Sequence, residues 1–319
     1  MSMISRLIAA FAAAFFLTAN GAYAAPSFTV ETIFGEWTDT ARAARVVPYK
    51  LYVPREAQGP RPIVIFSHGL GGNRDGAEYL LDHLAAHGYA AVAVQHPGSD
   101  TPAVFGDPGG WKQAISPAVA VERFRDIPFA IDALEKMNAS DAKLRGRLDL
   151  SRIGISGHSY GAITTMALAG QALAGGRISF GDPRLMAAIV YSPSKPQRAG
   201  AEAFASVRIP TFHMTGTDDK NPLDASDPPS SRQFPFRSIT NADKFLLVFN
   251  GGDHMVFSGR AFGGEPRPND PRFHALIQKA SLAYWDAYLL GKADAKSYLT
   301  GGAFARDLAA DGSFEFRLK

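Results

Sequence analysis

Six short, unbroken apolar runs punctuate the chain, at residues 62–66, 90–94, 152–155, 186–190, 209–214 and 244–249. Each is too short for a buried helix and lacks the alternation of a strand with one wet face, so each reads as a strand covered on both sides. Helix-like stretches lie between them, at 77–87, 127–137, 162–173 and 273–290. Strand and helix in alternation predict an α/β fold, a parallel sheet with helices on both faces. Two earlier β-rich runs, 27–34 and 46–53, joined through residues 39–45, read as an antiparallel opening pair. They bring the expected sheet to eight strands. With no internal repeat and no long linker, residues 25–319 are expected to form one domain.

A core of that depth needs apolar mass, and the chain supplies it: 46% of its 319 residues are hydrophobic and 20% charged. The formal net charge is only +3, and the basic residues are scattered rather than gathered in a stripe, which argues against a nucleic-acid partner. The first residues have a different character. A short leader ending at Arg6 precedes an apolar segment from Leu7 to Leu17, and Ala22-Tyr-Ala24 matches the small-x-small rule for cleavage. Residues 1–24 therefore read as a secretory signal peptide, with the mature chain starting at Ala25 and located in the periplasm or outside the cell. A retained leader acting as an anchor is the alternative. Beyond it no run approaches the roughly 20 apolar residues of a membrane span, so no stable membrane insertion is expected after cleavage. The chain contains no cysteine, which removes disulfides, thiolate metal sites and a cysteine nucleophile from consideration.

The run at 152–155 leads into Gly157-His-Ser159-Tyr-Gly161 and then into a helix-like segment. Side chains that act on a ligand sit at the carboxyl ends of strands in such sheets. A serine at this corner is held in a strained backbone conformation between small neighbours, with the helix amino end behind it. The Tyr160 N–H can then donate to a developing oxyanion. Because the chain has 31 glycines, the string alone says little, and partners must carry the reading. A serine hydroxyl needs a base, and the base needs an orienting acid. Gly216-Thr-Asp218-Asp219 follows the fifth apolar run, and Gly251-Gly-Asp253-His254 follows the sixth, giving the order Ser, Asp, His. His254 is the expected base and Asp219, three residues after Gly216, the expected acid; Asp218 stays open as an alternative, and Asp253 reads as a turn former. Ser67-His68-Gly69-Leu70-Gly71-Gly72 follows the first run and offers the Leu70 N–H as the second oxyanion donor, with His68 shaping the loop.

These passages together resemble the α/β-hydrolases, and the local wording is similar to the subgroup labelled predicted dienelactone hydrolases, related to platelet-activating-factor acetylhydrolases. The matching segments are residues 39–45, 66–72, 87–89, 96–100, 157–161, 213–219 and 250–254, so the resemblance spans nearly the whole chain after the leader. It implies an α/β-hydrolase fold, a Ser159, Asp219, His254 triad with Leu70 and Tyr160 as oxyanion donors, and ester hydrolysis without a cofactor. Authentic dienelactone hydrolases use a cysteine nucleophile. The absence of cysteine means that the dienelactone label does not carry over to substrate.

Other constellations are weaker. His83 and His87 stand four apart on an expected helix, but without the glutamate of a metalloprotease motif, and Asp218, Asp219, Asp224 and Asp227 lack the spacing of a calcium loop. No metal and no cofactor is expected. Tyr284, Trp285 and Tyr288 read as packing residues. Three Pro/Gly-rich stretches, 96–117, 220–236 and 257–271, read as surface loops around the site. They contain Phe105, Trp111, Phe234, Phe236, Phe257 and Phe262, which suggests a small-molecule ester with a small to medium apolar acyl or aromatic group. A peptidase or amidase of the same fold, and a non-catalytic binding protein, are the competing function classes. Oligomeric state is not legible.

Overall fold

Neighbouring residues of a strand point to opposite faces, and along Ile63-Val64-Ile65-Phe66 every side chain is buried. Val64 and Phe66 join one apolar cluster, Ile63 and Ile65 another. The computed structural model describes residues 28–196, 199–259 and 265–319, so the expected leader at 1–24 and Phe262 lie outside the described residues. Among the described residues one sheet contains β1 (Val30–Asp39), β2 (Arg45–Pro54), β3 (Arg61–Ser67), β4 (Ala90–Val94), β5 (Leu148–His158), β6 (Leu185–Tyr191), β7 (Thr211–Asp218), β8 (Lys244–Asp253) and β9 (Gly312–Arg317). Their order is β1-β2-β4-β3-β5-β6-β7-β8-β9. Pairing is parallel from β4 through β8, and antiparallel for β1 with β2, β2 with β4 and β8 with β9.

The helices are α1 (Glu78–Ala86), α2 (Thr101–Phe105), α3 (Gly110–Ala114), α4 (Pro117–Ser140), α5 (Tyr160–Leu168), α6 (Phe234–Ser238), α7 (Asp270–Tyr288), α8 (Ala293–Thr300) and α9 (Ala303–Leu308). Residues of α1 and α7 pack in the first cluster, where Tyr284 and Trp285 are fully buried, and residues of α4 and α5 in the second. Helices thus cover both faces, as the continuous apolar strands require. None of the helices among the described residues is long and apolar enough to cross a membrane.

Three elements differ from expectation. The ninth strand, β9, pairs with β8 and extends the sheet beyond eight strands. Helix α4 begins at Pro117, ten residues before the expected start, because Ser116 caps it and because its charged turn folds inward: Arg123 and Asp126 are both fully buried. Helix α5 stops at Leu168, short of the expected 173, and Gly170 follows with φ 109°.

The connection from β3 runs to β4 on one side, whereas β5 lies against β3 on the other. Connections that part in opposite directions leave a crevice at the carboxyl ends of β3 and β5, where ligands of such sheets bind.

Candidate active site

Strand β5 ends at His158 and α5 starts at Tyr160, so the whole change of direction falls on Ser159, whose φ is 56° and ψ −112°. A residue with a Cβ avoids that region at a cost of about 1–3 kcal/mol. The flanking glycines leave no room for a side chain. A Cβ on Gly157 would stand 2.3 Å from the Gly161 carbonyl oxygen, and one on Gly161 would stand 1.8 Å from that of Ser67. The corner is thereby packed against the end of β3, and the Ser159 N–H is tied to the Tyr191 carbonyl of β6 at 2.9 Å.

His254 follows β8 and Asp219 follows β7, whose parallel pairing brings the two turns together. His254 Nε2 lies 2.9 Å from Ser159 Oγ, and Nδ1 lies 2.8 Å from Asp219 Oδ1. With the Nδ1 proton donated to the carboxylate, Nε2 carries the lone pair and faces the serine hydroxyl. Asp219 is fully buried, and Thr215 Oγ1 donates to its other oxygen at 2.8 Å. Burial pushes the Asp219 carboxyl up, but the His254 hydrogen bond and the charges of His254 and Arg232 outweigh it and hold the group below its ordinary value. Asp218 is exposed, and Asp253 accepts from the Val256 N–H while pairing with Arg267. His158, beside His254, donates from Nε2 to the His254 carbonyl at 2.8 Å and is pushed down to about 3, by burial first.

The loop after β3 meets the corner directly, since a Cβ on Gly69 would stand 3.4 Å from that of Ser159. Within it the Gly71 and Gly72 N–H groups are engaged by the Ser99 and Gly69 carbonyls. Leu70, between them, is half-buried. Tyr160 is the first residue of α5, where an N–H has no acceptor in its own helix. His68 is buried beneath: Nε2 accepts from the His96 N–H at 3.0 Å and Nδ1 donates to the Gly69 carbonyl at 2.7 Å.

Several buried polar residues were not legible as part of this site. Asp126 accepts from Arg45 and from His96 Nδ1, His96 Nε2 accepts from Ser67 Oγ at 2.9 Å, and Arg123 donates to the Ser67 hydroxyl, the His68 carbonyl and Ser99 Oγ. An arginine and an aspartate three apart, Arg123 and Asp126, on the helix face that also carries Phe124, Ile127 and Ala130 into the core, are the trace this leaves in the sequence. Arg232 is also buried, in a 3-10 turn spanning Pro229–Gln233. Its guanidinium lies 3.3 Å from Asp219 Oδ1 and donates to the Lys220 carbonyl at 3.2 Å and to Ser194 Oγ at 2.9 Å. It joins the loops after β6 and β7.

The expected aromatic mouth is only partly formed. Phe105 is 67% exposed and lies over Gly71, and Trp111 is 40% exposed. Phe234 is half-buried. Phe236 and Phe257 are instead fully buried, the first against Leu246 and Val248 and the second beside Tyr191 and Phe249, because the short helical turns that carry them fold their apolar side onto the sheet. No group of three or more His, Cys, Asp or Glu that could hold a metal occurs among the described residues. The His83 and His87 rings pack on each other at 4.1 Å, and burial pushes His83 down to about 4.

Comparison with known proteins gives the family. Over 208 residues, 65% of this chain and 57% of the relative, the sequence is 28% identical to cutinase est1 of Thermobifida alba. Over 236 residues, 73% of this chain and 70% of the relative, it is 27% identical to cutinase 2 of Thermobifida cellulosilytica. A shorter match, 26% over 153 residues, covers 38% of this chain and 34% of the platelet-activating factor acetylhydrolase of Cavia porcellus. The chain thus spans 57% of the length of the first of these cutinases and 70% of the second. The model of the family described as PET hydrolase-like covers residues 30–262, from the first strand past His254. With that match over most of its length and the sheet and corner described above, the chain belongs to the PET hydrolase-like family of the α/β-hydrolases.

Proposed function

We propose that this protein is an exported serine esterase that cleaves carboxylic esters through an acyl-enzyme on Ser159. The observation that carries the reading is the hydrogen-bonded series Ser159 Oγ, His254 Nε2, His254 Nδ1, Asp219 Oδ1, with spacings of 2.9 and 2.8 Å. The names of the relatives, cutinases and an acetylhydrolase, are those of ester-cleaving enzymes and support the same class.

In this mechanism His254 takes the Ser159 proton as Oγ attacks the ester carbonyl carbon, and Asp219 orients the ring and offsets its charge. The carbonyl oxygen becomes an oxyanion that the Leu70 and Tyr160 N–H groups receive. His254 then gives its proton to the departing alcohol. Water repeats the sequence on the acyl-enzyme, leaving the acid and free Ser159. Phe105 against Gly71 of the Leu70 loop, with Trp111 exposed on the same 96–117 segment, favours a small to medium apolar acyl or aromatic ester. The leader read at residues 1–24 supports export, and the fractionated protein should then carry Ala25 at its amino terminus.

A fluorophosphonate probe and a p-nitrophenyl ester panel test the chemistry. Wild-type protein should be labelled on Ser159 and hydrolyse p-nitrophenyl butyrate, while Ser159→Ala should do neither. Cleavage of peptide amides in place of esters would overturn the substrate class, and absence of labelling on folded wild-type protein would overturn the enzyme.

A further inference from the structure

Arg123 is fully buried on α4, and among the described residues no carboxylate lies within ion-pairing distance of it. Asp126, one turn along, is occupied by Arg42, Arg45 and His96. A buried cation whose nearest carboxylates, Asp126 and Asp100, act on it only through space is a costly thing for a fold to keep. What the guanidinium does touch is consistent: it reaches both segments that carry the oxyanion donors. On one side its Nη2 donates to the His68 carbonyl, two residues before Leu70, and to Ser67 Oγ at 3.0 Å, while Nη1 donates to Ser99 Oγ at 2.8 Å. Ser99 in turn offers its carbonyl to the Gly71 N–H, immediately after Leu70. On the other side Nε donates to Thr164 Oγ1 at 3.1 Å, and the plane lies over the Tyr160 ring with 4.4 Å from its central carbon to the ring centroid. Thr164 Oγ1 donates onward to the Tyr160 carbonyl at 3.2 Å.

We infer that Arg123 is a positioning residue for the oxyanion hole, one rigid fork that sets the separation of the Leu70 and Tyr160 N–H groups. The inference rests on the esterase reading above and deepens it. An arginine suits this task because its donors lie in one plane at fixed angles, whereas a lysine is a point charge on a flexible stem. The series Asp126, His96, Ser67 then holds the fork from behind: His96 Nδ1 donates to Asp126 at 3.0 Å, so its Nε2 must accept from Ser67, and the Ser67 oxygen is left to accept from Arg123. Each group has one available hydrogen-bonding role, and the series has one arrangement. Because the oxyanion exists only after attack, the fork should matter to the transition state and little to ground-state binding.

The test compares wild type with Arg123→Met, Arg123→Lys and Thr164→Val, reading kcat and KM on p-nitrophenyl butyrate and the affinity for an alkyl trifluoromethyl ketone, whose hemiketal with Ser159 carries an oxyanion. Arg123→Met should lower kcat about a hundredfold with KM nearly unchanged, and weaken ketone binding in parallel with kcat/KM. Arg123→Lys should recover part of both, and Thr164→Val should show a smaller loss of the same kind. Should Arg123→Met fail to fold, Arg123→Lys and Thr164→Val decide. Folded variants with wild-type kcat, or with losses in kcat that ketone affinity does not follow, overturn the inference while the active wild type leaves the esterase reading standing. A wild type that cleaves no ester overturns both.

Discussion

Asp218 and Asp219 are neighbours of one chemistry whose surroundings differ at every point that governs a carboxylate. Asp219 is buried, accepts from Thr215 and His254, and feels Arg232; Asp218 faces solvent. Replacing Asp219 by Asn offers His254 Nδ1 an N–H instead of an acceptor, which favours the tautomer whose Nε2 is already protonated and cannot take the serine proton. Asp219→Asn should therefore lower kcat by about 10³-fold or more with little change in KM. Asp218→Asn should stay within about twofold of wild type, as surface changes do; a larger loss from Asp218 in steady-state kinetics would reverse the assignment. Ser159 allows a separate test of strain. At φ 56° the cost belongs to the Cβ, so Ser159→Gly should be about 1 kcal/mol more stable than Ser159→Ala in urea unfolding, although glycine elsewhere destabilises. Both variants lack Oγ, so the difference isolates the backbone. Equal stability would mean that the corner stores no strain.

At the scale of elements, β5 and α7 approach so closely that a Cβ on Gly154 would stand 2.5 Å from the Trp285 ring. Trp285 is fully buried and has nowhere to move. Gly154→Ala should cost about 1–3 kcal/mol by overpacking, with the loss smaller in a Trp285→Phe background and kcat per folded molecule unchanged. Urea midpoints of the four proteins would check it, and additivity of the two substitutions would refute the contact. The same packing explains what could be read beforehand. Runs such as Ile63-Val64-Ile65 were legible because two-sided burial writes a continuous apolar string, and Ser159, Asp219 and His254 because each follows such a string. The β9 run Ser313-Phe-Glu-Phe-Arg317 was not, since a short edge strand with alternating polarity acquires its identity only by pairing with β8. The first half of α4 was hidden by Arg123 and Asp126, which look like surface charges until their partners in other segments are placed around them. Arg232 gave no periodic signal at all. Its role near Asp219 comes from two loops converging on one guanidinium.

The whole molecule carries an acid liability that follows from the same burial. Five of its eight histidines, His68, His83, His96, His158 and His213, are shifted down, in each case first by burial and then by a neighbouring cation or ring: Arg123 for His68 and His96, His87 for His83, His254 for His158, Lys244 for His213. His83 and His96 are held at about 4, and His158 and His213 at about 3. In the unfolded chain a histidine titrates near 6.5. Above that pH both states are neutral and the contribution is complete. As pH falls below 6.5 the unfolded chain takes up protons that the native protein refuses until pH 4 or lower, so stability declines. Each such histidine contributes a slope of up to about 1.4 kcal/mol per pH unit. Carboxylates held below their ordinary value, among them Asp219, Asp182 and Asp243, keep their contribution until the pH drops further, through the unfolded range near 3.8. The steep loss should therefore come before these three carboxylates lose their contribution. Urea midpoints should fall continuously from pH 7 to pH 5 at constant ionic strength, and unfolding at pH 5.5 should take up several protons in calorimetry across buffers of different ionisation heat. Against a typical domain stability of about 5–15 kcal/mol, a slope summed over five histidines is enough to unfold the protein by mild acid. A midpoint that stays level over this range would mean that the buried rings accept protons in the native state, and that the network under the Leu70 loop is looser than its hydrogen bonds imply.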